Sequence, residues 1–177
     1  MKKCYFLLCI ILCVSMLSGC NNIYQALSDG TEKMLDEASN AVGEKPKEAI
    51  LNALNTFNDI GGESVLTDDM SLQGKRTFGN DSYVGEYSST YDKFSETEIV
   101  FGGTSVEREN GNTIEISCSL TIDNGNAIVF LKSGNTDPVA LLDISDEYVG
   151  TIKVGNCSSY IGVWGEGFSG TVELNIE

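Results

Sequence analysis

Thr113-Ile114-Glu115-Ile116-Ser117-Cys118-Ser119-Leu120-Thr121-Ile122-Asp123 alternates apolar and polar residues without a break. That period of two puts Ile114, Ile116, Cys118, Leu120 and Ile122 on one face of a β-strand, with the other face wet. The following Asp123-Asn124-Gly125-Asn126 reads as a tight turn, because Asn-Gly tolerates the positive φ angles that hairpins need. Further strands are predicted over 127–132, 139–144, 148–154, 160–164 and 171–176, with Gly-rich breaks between them at Gly155-Asn156 and from Gly165 to Gly170. Upstream, 83–91 and 98–107 complete a set of about eight, the latter with a bulge at Gly102-Gly103. Short strands separated by turn signals, with no long helical pattern among them, predict a mainly β chain: an antiparallel β-sandwich or jelly-roll-like domain over 83–177.

Residues 63–82 lack a sustained period and read as a linker with room for one short strand; the Lys75-Arg76 pair in it reads as solvent-facing charge. Residues 20–62 read as a short helical stalk. Asp29-Gly30-Thr31-Glu32 has the spacing of a capping box. Pro46 suits the start of a second helix over 46–60, whose Ala49, Ile50, Ala53, Leu54, Phe57 and Ile60 make one apolar stripe. That stripe packs on the body or docks on a partner.

Composition excludes several functions. The 177 residues carry 26 Asp plus Glu against 11 Lys plus Arg, a formal net charge of −15. Nucleic acid is not a partner for such a chain, since phosphates need clustered cations. His is absent, which removes Ser-His-Asp and Cys-His nucleophiles and His-ligated metals. Asp123–Asn126 and Asp143–Glu147 lack the spacing of a calcium loop, so no metal or cofactor is expected. Paired carboxylates would suffice for a glycosidase, but no motif marks a pair, and an enzyme is the least favoured reading.

The N-terminus gives an address. Met1-Lys2-Lys3 is cationic, residues 4–17 are almost wholly apolar, and Ser18-Gly19-Cys20 follows, the pattern of a secretory signal over 1–19. Leu17-Ser18-Gly19-Cys20 resembles the lipobox of bacterial membrane lipoproteins. The resemblance implies cleavage before Cys20, a diacylglyceryl group on its thiol, and a location on the extracytoplasmic face of the membrane. Two acyl chains anchor stably where one is marginal, at about 0.8 kcal/mol per buried CH₂. The strands from Ser159 to Trp164 and from Gly170 to Ile176 resemble the closing pair of pre-peptidase C-terminal-type sandwich domains, accessory modules of secreted bacterial proteins.

Two features bear on binding. Tyr160 and Trp164 share a strand face with Gly162 between them, so the strand is either covered on both sides or offers an aromatic platform suited to sugar rings or a protein partner. Tyr83, Tyr87 and Tyr91 also share a face. Cys118 and Cys157 are the even pair left after the signal and the lipidated residue are set aside. A disulfide closing roughly 40 residues would stabilise by about 3–4 kcal/mol, and a plain buried thiol fits Cys118 equally. The expected function is a lipid-anchored, non-catalytic binding or adhesion module for a carbohydrate or an envelope protein; the alternative is an assembly role in which helix 46–60 docks on a partner.

Overall fold

A computed structural model describes residues 42–56, 65–104, 107–154 and 157–177. The signal segment, Cys20 and the capping box lie outside them. Helix α1 spans Glu44–Thr56. The strands are β1 (Lys75–Phe78), β2 (Gly85–Phe94), β3 (Thr97–Gly103), β4 (Thr113–Ser133), β5 (Val139–Leu142), β6 (Asp146–Lys153) and β7 (Ser159–Ile176). All pair antiparallel.

The long strands β4 and β7 pair along most of their length, and each has different outer neighbours at its two ends. Residues 113–120 of β4 pair with β6, and residues 170–176 of β7 pair with β2, which pairs with β1. This gives a first leaf in the order β1-β2-β7-β4-β6. Residues 129–131 of β4 pair with β5, and residues 159–164 of β7 pair with β3, giving a second leaf, β3-β7-β4-β5. The leaves fold onto one another about the middle of both strands. Their inner faces form one core in which Ile116, Leu120, Val172 and Leu174 of the first leaf join Val100, Val129, Leu131 and Val163 of the second. The β-sandwich is thus a single sheet doubled over.

The doubling explains where the sequence pattern misleads. Inward residues of β4 have even numbers up to Leu120 and odd numbers from Ala127 onward. The phase slips by one, and register shifts flank Asn124. A bulge does this, bending the strand while keeping apolar side chains on the inner face. Asp123–Asn126 is therefore a bend within one strand and not a hairpin turn. Gly125 sits there at φ +77°, and a Cβ on it would meet the carbonyl oxygen of Gly167, from the β7 bend, at 2.3 Å. Likewise 160–164 and 171–176 are one strand. The resemblance to a pre-peptidase closing pair assumed two strands, and the continuous β7 departs from it.

The one short strand for which the linker had room is Lys75–Phe78, which forms edge strand β1. The Arg76 side chain there is buried, not solvent-facing: its guanidinium donates to the carbonyls of Val100 (2.9 Å) and Thr67 (2.8 Å) and to Asp69 Oδ1 (2.5 Å). It ties β1 to β3 across the open side of the sandwich.

Helix α1 begins two residues before Pro46, which still falls in the first turn, where its missing N–H costs nothing. Ile50 and Leu54 are buried against Ile99, Ile128, Phe130, Tyr160 and Trp164 on the outer face of the second leaf. The helix is a third layer and not a stalk. With Ile50 and Leu54 committed to the body, that part of the stripe is closed to a docking partner; Phe57 and Ile60 lie outside the described residues. Lys45 pairs with Glu166, and Lys47 with Asp137 at 3.0 Å.

Candidate functional site

The helix decides which surfaces can meet a ligand. It covers the second leaf, and with it both residues of the anticipated platform: Tyr160 is 7% and Trp164 6% exposed. The glycine gap between them is filled. A Cβ on Gly162 would meet the Phe130 ring at 2.6 Å and the Glu98 carbonyl oxygen at 2.2 Å. Of the two readings open for this strand, cover on both sides holds, and Tyr160 and Trp164 form no exposed binding platform.

Neither Cys118 nor Cys157 is joined in a disulfide. Cys118 pairs across to Leu174 and Tyr148 in the first leaf. Cys157 lies beside Ser133 Oγ, at 3.3 Å, next to the other end of β7. The bend of β7 stands between them, so no disulfide forms. Burial pushes the Cys118 thiol up to about 12, which keeps it protonated and inert.

The outer face of the first leaf carries no covering element among the described residues. Antiparallel register aligns its outward side chains into rows. One row runs Lys75, Ser88, Glu173, Ser119, Glu147; the next runs Thr77, Glu86, Asn175, Ser117, Val149. Apart from half-buried Ser119, all of these are exposed. Apart from Val149, the rows line a depression of about 460 Å³. A second, of about 480 Å³, shares Thr77, Glu86 and Asn175 with it and continues to Phe78, Arg108 and Glu177. Together they make one trough with a floor of hydroxyls, an amide and carboxylates.

Phe78 stands at the far end, 42% exposed. The Arg76 guanidinium lies 4.6 Å from its ring centre, and Phe101 meets the ring edge-on at 6.0 Å. Arg108 is held in place by Asp81 (2.7 Å) and the Gly111 carbonyl (3.0 Å). The trough thus presents hydrogen-bonding groups of both polarities, while Phe78, next to outward Thr77, turns its ring to the Arg76 and Phe101 side of β1. Among the described residues no group of three or more Asp, Glu, His or Cys could hold a metal ion.

One polar cluster escaped the sequence reading. Glu98 of β3 is 2% exposed. Its Oε2 accepts from the hydroxyls of Tyr87 (2.7 Å) and Tyr91 (2.8 Å), and its Oε1 from the Gln73 amide (2.6 Å). Tyr87 and Tyr91 belong to the first leaf and Glu98 to the second, so the cluster clasps the sandwich. Burial, with the Glu98 carboxylate beside them, pushes both hydroxyls well above the usual tyrosine range. Sealed in this way, Glu98 cannot reach a substrate. The shared face of Tyr83, Tyr87 and Tyr91 was the available signal, because buried tyrosine hydroxyls require partners.

No family model matches the chain, and no curated protein matches it. Among solved structures it is similar to the EclA C-terminal domain, a sugar-binding protein, at 13% identity and a TM-score of 0.31, over 57% of this chain and 83% of that one. Likeness of that degree assigns no ligand to this chain.

Proposed function

We propose that this chain is a cell-envelope lipoprotein, anchored through Cys20, whose doubled sheet is a non-catalytic module that binds carbohydrate along the trough. The observation that carries the reading is the asymmetry of cover: one leaf is roofed by α1, while the other presents in-register Ser88, Glu173, Ser119, Glu86, Asn175 and Ser117 to solvent. A sugar chain offers vicinal hydroxyls that donate to carboxylates and accept from hydroxyls and amides. The anchor rests on the Leu17-Ser18-Gly19-Cys20 box, and the described residues contain no helix long and apolar enough to cross a membrane.

The test is retention on a panel of immobilised polysaccharides, comparing the parent with Asn175→Ala and Glu173→Ala. Each substitution is expected to weaken binding about tenfold or more, roughly 1.4 kcal/mol, with an unchanged circular dichroism spectrum. Retention unaffected by both variants would refute the site. Cys20→Ser is expected to release the protein from the membrane fraction.

A further inference from the structure

Sheet edges invite pairing unless they are short, covered or distorted. In this fold β1 and β5 are four residues each. The free side of β3 is covered: Thr67 N donates to the Ile99 carbonyl and Gly102 N to the Ser82 carbonyl. Strand β6 has none of these protections. It runs eight residues, pairs with β4 without a register shift, contains no proline, and has no strand on its other side among the described residues. Val149 on it is 72% exposed.

Its outward residues are Glu147, Val149, Thr151 and Lys153, all exposed. Neither Glu147 nor Lys153 has an ion-pair partner among the described residues. This order is self-complementary. Directly opposite residues of an antiparallel pair share a face, so two copies of β6 can meet only in registers two residues apart. The register centred on Gly150 sets Glu147 against Lys153 of the second copy, Val149 against Thr151, and then the same pairs reversed. A shift one way sets Glu147 against Thr151 and Lys153 against Ser145; a shift the other way sets Val149 against Lys153. The central register therefore places both opposite charges face to face and pairs β-branched side chains between them.

We infer that β6 is a self-pairing edge through which two copies of this chain join about a two-fold axis at Gly150. The axis stands perpendicular to the sheet, so the first leaves of both copies form one ten-stranded sheet, isologous at its centre, with both troughs on the same side. The inference is independent of what the trough binds.

Zero-length carbodiimide cross-linking gives a specific test. Within one chain Glu147 and Lys153 lie six residues apart on an extended strand, roughly 20 Å, so an amide between them forms only between chains. The full chain is extracted in mild detergent from a mixture of ¹⁵N-labelled and unlabelled protein. Light scattering is expected to give a dimer, and mass spectrometry a Glu147–Lys153 peptide joining a labelled to an unlabelled chain. Lys153→Glu is expected to weaken the dimer about tenfold or more, and Glu147→Lys combined with Lys153→Glu to restore it. A single-chain mass, a dimer without that cross-link, or a dimer indifferent to Lys153→Glu would each overturn the proposal.

Discussion

Glu98→Gln isolates the clasp. The carboxylate accepts three hydrogen bonds, from Tyr87, Tyr91 and the Gln73 amide. A glutamine of the same shape accepts through one oxygen only. Turned with its oxygen to the tyrosines, it points an NH₂ at the Gln73 N–H; turned the other way, it faces two hydroxyls with a donor. Hydrogen bonds to a charged group contribute about 1.5–3 kcal/mol each, while removing the buried charge returns part of its desolvation cost. The expected net loss is about 2 kcal/mol for Gln. For Ala, which leaves three donors facing a cavity, it is about 4 kcal/mol. The assay is equilibrium urea unfolding followed through Trp164, the sole tryptophan, buried beneath α1. Tyr91→Phe and the Tyr91→Phe/Glu98→Gln double variant complete a cycle whose coupling energy is expected to exceed about 0.5 kcal/mol. A Glu98→Gln midpoint equal to the parent's, with no coupling to Tyr91, would refute the view that this carboxylate binds the two leaves together.

Alkali should unfold the protein by a related route. The folded-state pKa values of Tyr87, Tyr91, Tyr148 and Tyr160 are raised by burial above the ordinary 10, and that of Cys118 from 9 to about 12. Between the ordinary and raised values the native state holds protons that the unfolded chain releases. Stability is thus complete below pH 9 and falls above it, by up to about 1.4 kcal/mol per pH unit for each such group. Urea midpoints measured from pH 8 to pH 11 check the sign; a flat profile would count against burial of these side chains. At the fold line, Gly125→Ala strains a φ of +77° and drives a methyl into the Gly167 carbonyl. A loss of 2 kcal/mol or more is expected in the same urea assay, by the combined cost of strain and overpacking, about 1–3 kcal/mol each.

The sequence made the sheet legible where burial is one-sided. Thr113–Ile122 alternates because one side meets the core and the other meets water. The doubly apolar Tyr160–Trp164 stretch signalled cover on both faces, and Ile50 and Leu54 supplied it. Continuity was harder to see. A bulge and a hairpin turn both interrupt the alternation with Asn and Gly, and only the partner strand distinguishes them, so β4 and β7 each read as two strands. Lys75–Phe78 has too little alternation to announce β1. Nothing in the sequence marked Glu98, because its partners come from the opposite leaf, brought there by topology. The trough's residues were visible as a wet face, but which wet face stays open depends on where the helix lands.

The placement of β7 also governs when the molecule can form. It is the last strand of the sheet in chain order, yet it lies at its centre, between β2 and β4 in one leaf and β3 and β4 in the other. Until residues 159–176 have emerged from the ribosome, β2 and β3 have no inner neighbour, and neither leaf can close. Assembly is thereby deferred until the whole sheet-forming stretch has been synthesised.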